Sequence, residues 1–267
     1  MIENLINNKD NMFFLIAGPC VIEEEKKTYE IAKIISDITT KNNIPFIFKA
    51  SYKKANRSRL DSFTGIGDKK GLGILKNISE QLNIPVTTDV HSPEEVALAS
   101  KYVQMIQIPA FLCRQTEILI AAGKTNKFVN IKKGQFCSAN SVKFMIEKIT
   151  SQGNENVIVT ERGNSFGYQD LVVDMRNIPI IKSFGKNVVL DVTHSLQKPN
   201  QGYGVSGGTP EFIETLACAG VAAKVNGIFL ETHPNPKNAL SDGSTMLPLK
   251  KLESLLLKLI SIRNAII

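Results

Sequence analysis

The sequence predicts an α/β chain folded as a (β/α)8 barrel, and three observations carry that expectation. Eight short apolar, β-branched runs recur along the 267 residues. Most are separated by stretches whose apolar residues keep helical spacing. Polar residues suited to chemistry gather at the C-terminal ends of the runs, where such a barrel keeps its functional face. A doubly wound open sheet is the alternative, since it also binds ligands at the carboxyl ends of its strands. No linker, low-complexity tract or composition break divides the chain, so one domain over 1–267 is expected, with residues 1–12 a short N-terminal extension.

The elements follow in order. The first run, "FFLIAG", passes through Gly18, Pro19 and Cys20 into the acidic helix opening "VIEE". Behind it, Ile31, Ile34, Ile35 and Ile38 are expected to form one apolar stripe. The second run, "FIFKAS", ends on Lys49 and Ser51, and the third, "VTTDV", on Asp89 and His91. "SPEEV" from Ser92 then offers a cap residue, a proline at the first helical position and a glutamate. "MIQIPA" carries Gln107, "FVNIK" Lys132, and "VIVTER" Glu161 and Arg162. "VVLDVTH" presents Asp191 and His194, and "TPEF" from Thr209 is a second helix start of the capped type. "GIFLETH" supplies Glu231 and His233, and Leu252, Leu255, Leu256, Leu259 and Ile260 line a last amphipathic helix.

Composition narrows the function classes. With 43% hydrophobic residues there is material for a large core. No segment has the long apolar run of a membrane span, and "MIENLINNKD" lacks the layout of a secretory signal, so a cytoplasmic protein is expected. Cys20, Cys113, Cys137 and Cys218 form no CxxC pair, which speaks against a zinc knuckle or a disulfide framework. A net charge of +7 suggests an anionic partner. The lysines are spread along the chain with few interleaved aromatics, so a solvated surface outweighs nucleic-acid binding. Only six arginines occur, at 57, 59, 114, 162, 176 and 263. Their planar fork suits phosphate and carboxylate.

All three histidines, His91, His194 and His233, fall at strand ends. Singly each reads as a structural histidine; together they favour a site. In a closed barrel, strands seven, eight and one are neighbours, which would bring Cys20, His194 and Glu231 to one corner, within reach of Asp242 in the loop after strand eight. That is a plausible mixed ligand set for a divalent metal. Cys20 as a small buried apolar side chain is the equal alternative. Opposite, "KASYKKANRSR" groups Lys49, Lys53, Lys54, Arg57 and Arg59 with Asn56 and Ser58, while Lys132 and Arg162 end strands five and six. So many cations suit a substrate with several negative charges. The glycines of "FTGIGDKKGLG" and "GVSGGTPEF" fit loops over the mouth, and Gly207 and Gly208 could present backbone N–H groups.

On "AGPC", "FKAS", "KANRS", "TTDVH", "QIPAFLCRQT", "NIKKGQF", "TERGNSFGY", "LVVDMR", "DVTHS", "SGG", "ETHP" and "LSDGS", the chain resembles the 3-deoxy-D-manno-octulosonate 8-phosphate synthase family from about Leu15 to the last helix. The resemblance implies condensation of phosphoenolpyruvate with D-arabinose 5-phosphate. "ANRS", where the related erythrose 4-phosphate synthases carry a Pro-Arg-Thr-Ser type sequence, argues for the pentose phosphate. Cysteine at position 20 resembles the metal-dependent branch. The resemblance then implies Cys20, His194, Glu231 and Asp242 as ligands of a divalent ion such as Zn, Fe, Mn or Co. Lys49, Lys54, Lys132 and Arg162 resemble the phosphoenolpyruvate cradle, with Asp89 and Gln107 lining the pocket. Asn56, Arg57 and Ser58 resemble the sugar-phosphate binders. Arg114 resembles an arginine supplied across a subunit boundary, which implies a homotetramer. The chemistry is expected to fall to His194, Lys132, Lys54 and Asp242. The chain departs from the pattern at Lys53, Arg59, Thr209 and Pro210, changes expected to add charge near the sugar phosphate and to alter loop closure.

Overall fold

In the computed structural model, which describes residues 2–6, 12–168, 170–198, 201 and 206–266, each of the eight apolar runs forms a strand. These are Phe14–Gly18, Phe46–Lys49, Val86–Asp89, Met105–Ile108, Phe128–Lys132, Val157–Glu161, Asn187–Asp191 and Gly227–His233. They pair in parallel and in sequence order, and the first strand also pairs with the eighth, from Phe14 opposite Gly227 to Gly18 opposite Glu231. That pairing closes the barrel and excludes the open sheet.

The strands are mostly apolar because both of their faces are covered, with buried polar residues gathered mainly toward their C-terminal ends. Successive side chains alternate, so in strand one Phe14 and Ile16 turn inward while Leu15 and Ala17 meet the helices. The interior cluster adds Ile47, Met105, Phe128, Ile158, Val189 and Phe229. Of the expected N-terminal extension, Ile2–Ile6 form a short helix whose Ile6 joins that interior cluster; residues 1 and 7–11 lie outside the described residues.

A helix follows each strand, from Glu25–Lys41 after the first to Leu252–Ile266 after the eighth. The last one buries Leu252, Leu255, Leu256 and Leu259 as expected. In Glu25–Lys41 the buried face runs through Thr28, Ile31, Ala32, Ile35 and Thr39. This corrects the expected stripe, because small residues carry part of that face and Ile34 rotates out to 43% exposure. Ser92 caps Pro93–Ala99, its hydroxyl accepting from the Glu95 N–H at 3.2 Å. Thr209 does not cap with its side chain. It precedes a 3-10 turn, Pro210–Phe212, and its N–H donates to the Leu196 carbonyl.

Two hairpin-like additions decorate the mouth. Asn164–Phe166 pairs antiparallel with Asp170–Val172, and Gln197–Lys198 with Gly207–Gly208. The second ladder holds Gly207 and Gly208, the two glycines that could present backbone N–H groups, while Gly204 and Val205 of that stretch lie outside the described residues. Among the described residues, no helix is long and apolar enough to cross a membrane.

Candidate active site at the C-terminal mouth

Strand order makes the seventh, eighth and first strands neighbours, and three of the four expected metal ligands meet there. The Cys20 thiol lies 2.9 Å from Asp242 Oδ2 and 3.0 Å from the Ser241 hydroxyl. One ligand atom each from Cys20, Glu231 and Asp242 falls within 4.8 Å of the others. The close approach of strands one and two needs glycine at 18, where a Cβ would run into the Lys49 carbonyl. Asp242 reaches in from a left-handed backbone position, φ 49°.

His194 borders this group and stands outside the triad. Its Nδ1 is 2.8 Å from Asp191 Oδ2, and its Nε2 is 3.6 Å from Glu231 Oε2. Asp191 Oδ1 also accepts the backbone N–H groups of Thr193 and His194, so this carboxylate sets the whole turn after strand seven.

Burial, reinforced by Asp242 and Glu231, holds the Cys20 thiol well above the usual range. Without a cation it is a neutral S–H donating to Asp242. Burial would also raise the Asp242 carboxyl, but Lys54 and His194 outweigh it and hold the group below the usual carboxylate range. Glu231 is divided: Oε1 accepts from Lys49 Nζ at 2.7 Å, whereas the buried Oε2 has no hydrogen-bond partner among the described residues. A buried acceptor left open beside a thiol and a second carboxylate fits a divalent cation.

The cations expected around the mouth are placed as follows. Lys49 is buried and also lies 3.7 Å from Asp89. Lys132 pairs with Asp191 and sits 3.2 Å above the centre of the Phe229 ring. Burial pulls its ammonium down to about 8, with Asp191 opposing. For Lys54, burial also lowers the pKa, but its neighbours Cys20, Glu231 and Asp89 hold it above the usual value. Arg162 is buried, with Nη2 donating to Gln197 and Nη1 unpartnered among the described residues. Arg57 donates through Nε to the Phe63 carbonyl at 3.0 Å, and its Nη2 is likewise buried without a partner among them. Asn56 and Ser58 flank it, exposed.

Across the barrel interior runs a relay of polar side chains: Ser51 donates to Asp89, Gln107 to Asp89 at 2.6 Å, Asn130 to Gln107 at 2.9 Å and Thr160 to Asn130 at 2.7 Å. Asp89 and Gln107 therefore belong to a fully bonded network. Asn130 and Thr160 were missed because each stands inside an apolar run, where only the inward register reveals them. Gln197, which bonds both Arg162 and Asp242, and Ser241 beside Asp242 were also missed, although Gln197 stands two residues after "DVTHS" and Ser241 inside "LSDGS".

Several expectations need correction. The histidines do not act as one group: His91 pairs with Glu95 at 2.8 Å, and His233 Nδ1 with the Asn235 carbonyl at 2.7 Å. Glu161 turns away from the mouth to accept from Gly163 and Asn177. The charges at Lys53 and Arg59 are not added freely to the site, because each meets a carboxylate, Glu95 at 2.8 Å and Asp61 at 2.6 Å. Arg114 is exposed after strand four, its carbonyl accepting from Lys148.

A closed barrel with buried cations and carboxylates at its C-terminal mouth defines, as a class, a (β/α)8-barrel enzyme. The comparison with known proteins is more specific. The chain belongs to the DAHP synthetase I family, whose model matches residues 2–266. A Koribacter versatilis (strain Ellin345) protein named 2-dehydro-3-deoxyphosphooctonate aldolase is 51% identical over 256 residues, covering 95% of this chain and 92% of that one. Proteins of the same name from Legionella pneumophila (strain Lens) and Brucella anthropi are 49% and 46% identical, covering 92% and 97% of this chain and 90% and 94% of theirs.

Proposed function

We propose that this chain condenses phosphoenolpyruvate with D-arabinose 5-phosphate and water, giving 3-deoxy-D-manno-octulosonate 8-phosphate and inorganic phosphate. The product serves lipopolysaccharide (Kdo) synthesis, and the chain acts as one barrel domain in the cytoplasm. The observation that carries this reading is a pair of buried guanidinium nitrogens without acceptors among the described residues, Arg162 Nη1 and Arg57 Nη2, on separate loops of one mouth. A buried donor costs free energy unless an acceptor arrives. Two such donors beside Lys49, Lys54 and Lys132 suit two phosphorylated substrates held together. The names of the relatives agree with that chemistry.

In this reading Arg162, Lys132, Lys49 and Lys54 hold the phosphate and carboxylate of phosphoenolpyruvate, and Asp89 and Gln107 keep Lys49 and the pocket wall in place. Asn56, Arg57 and Ser58 receive the sugar phosphate. Carbon 3 of the enol attacks the aldehyde carbon, water adds at carbon 2, and phosphate leaves with cleavage of its C–O bond. The fixed cations neutralise charge as it shifts, with little reorganisation needed. His194, oriented through Nδ1 by Asp191, keeps Nε2 toward the site, and Lys132 is poised to hold or release a proton near neutral pH. Cys20, Glu231 and Asp242, with His194 at the border, would hold a divalent cation. That ion would supply a Lewis acid, orienting the aldehyde or activating water. Cys20 acts as a ligand and not as a nucleophile, since the condensation joins the two substrates directly and needs no covalent intermediate on a thiol. Arg114 serves the sugar-phosphate site of a neighbouring subunit in a homotetramer; its exposure beside Phe111, itself 58% exposed, supports that role.

The test follows phosphoenolpyruvate consumption with arabinose 5-phosphate, then with erythrose 4-phosphate, before and after chelator treatment and after refilling with a divalent metal. Turnover with the pentose phosphate, lost on stripping and regained on refilling, is expected. Preference for erythrose 4-phosphate, or no turnover in any state, would overturn the reading.

A further inference from the structure

Lys133 takes no part in the roles assigned above, yet it is one of the most deeply buried charges in the chain, with no solvent exposure. It follows Lys132 directly. Side chains alternate across a strand, so Lys132 turns into the barrel onto Asp191 while Lys133 turns outward. There its Nζ donates to the carbonyls of Gly134 at 3.3 Å, Cys137 at 3.1 Å and Gly163 at 3.3 Å, and to Asn164 Oδ1 at 3.0 Å. Glu161 Oε1 stands 3.4 Å away. An ammonium has three N–H groups, and here they are shared among more oxygens than that, all from two loops. Burying such a cation is unfavourable unless it is paired and bonded; the loops supply the hydrogen-bond acceptors and Glu161, at the end of strand six, the opposite charge.

The two loops carry the cradle. Residues 134–137 follow Lys132, and residues 163–164 follow Arg162. Further bonds tie one loop to the other: Asn164 Nδ2 donates to the Cys137 carbonyl at 2.8 Å, and the Ser165 N–H to the Gln135 carbonyl at 2.9 Å. Glu161 Oε1 closes the turn by accepting the Gly163 N–H at 2.6 Å, where the backbone takes the left-handed φ of +85° that favours glycine. Lys132 and Arg162 themselves have no bond to each other among those described; what they share is this knot on the outer side of the strand ends.

We infer that Lys133 is a positioning residue: by tying the loops after strands five and six together, it sets the separation and aim of Lys132 and Arg162 so that both engage one phosphoenolpyruvate molecule. The inference rests on the functional reading above. It predicts an effect on one substrate only, since Asn56, Arg57 and Ser58 stand on the loop after strand two.

The experiment compares the whole wild-type protein with Lys133→Met and Asn164→Ala by calorimetric titration with phosphoenolpyruvate alone and by steady-state kinetics. Asn164→Ala keeps the buried ammonium and removes one of its acceptors together with the Asn164–Cys137 bond between the loops, so it is the milder variant if Lys133→Met does not fold. In a folded Lys133→Met protein, affinity for phosphoenolpyruvate should fall about tenfold or more, and in Asn164→Ala about threefold, while KM for arabinose 5-phosphate stays within about twofold. A merely structural role would lower thermal stability and leave the affinity unchanged. Unchanged affinity in Lys133→Met, or in Asn164→Ala if the first does not fold, overturns the inference, as does equal weakening toward both substrates. Wild-type protein that binds phosphoenolpyruvate without turnover would overturn the functional reading alone; wild-type protein that does neither overturns both.

Discussion

Lys49 Nζ lies 2.7 Å from Glu231 Oε1, both side chains being buried, while the other oxygen of the same carboxylate has no hydrogen-bond partner among the described residues and faces His194 Nε2 at 3.6 Å. One residue thus faces two ways, toward the anion cradle and toward the Cys20–Asp242 corner. Burial would lower the Lys49 pKa, but Glu231 and Asp89 outweigh it and hold the ammonium above the usual lysine range. The pair couples the two halves of the mouth.

Removing one partner should therefore cost more than the pair itself contributes. Lys49→Met leaves the Glu231 charge buried and uncompensated, and urea unfolding should show a loss of about 3–5 kcal/mol. A loss below about 1 kcal/mol would mean that Glu231 finds another cation or takes up a proton.

Cys20→Ala should abolish tight binding of a divalent metal and synthase activity together, because the soft ligand is lost while Glu231 and Asp242 stay in place. Metal content after dialysis and turnover of the same sample check this. Full activity in a metal-free Cys20→Ala protein would return Cys20 to a packing role.

Lys132 supplies a pH prediction for binding. Its ammonium, pulled down to about 8 by burial, is charged below that pH and neutral above it. Affinity for phosphoenolpyruvate should thus decline as pH rises through about 8. Asp191→Asn removes the opposing push, so the decline should move to lower pH. A calorimetric series in which wild type and Asp191→Asn behave alike would show that Lys132 does not titrate in this range.

Glu95 supplies one for stability. Burial would raise its carboxyl, but hydrogen bonds from Lys53, His91 and Tyr52 prevail and hold it at about 2, against an ordinary 4.5. A depressed carboxylate stabilises the fold above its unfolded value, and that contribution is lost as pH falls through the folded one. The acid limb of the unfolding midpoint between about pH 4.5 and 2 should be flatter in Glu95→Gln than in wild type. Identical limbs would show that the Glu95 carboxylate and its bonds to Lys53, His91 and Tyr52 contribute nothing to acid stability.

The eight strands and their functional ends were legible because apolar periodicity is local. Strand order brought Cys20, His194 and Glu231 to one corner with Asp242 in reach from the loop after strand eight, and the structure gathers Cys20, Glu231 and Asp242 while His194 stands at the border. Ser92 was legible as a cap for the same reason, its N–H partner lying only three residues away. Thr209 failed the same test because the Leu196 carbonyl, distant in sequence, competed for its backbone.

What the sequence by itself determined is a parallel α/β layout, with a barrel as its expected closure, and which residues end its strands, since strands buried on both faces between helices admit few arrangements. The pairing of the first strand with the eighth then excluded the open sheet. Only the tertiary structure decided which way each of those residues turns and what it meets. Lys132 and Lys133 are adjacent and chemically alike, yet one faces Asp191 inside the barrel and the other the carbonyls of two loops outside it. Lys53 and Arg59 looked like added charge until Glu95 and Asp61 were found beside them. Hydrogen bonds and desolvated charges act over a few ångströms between groups far apart in the chain, so their pairing is settled only when the closed barrel brings its loops together.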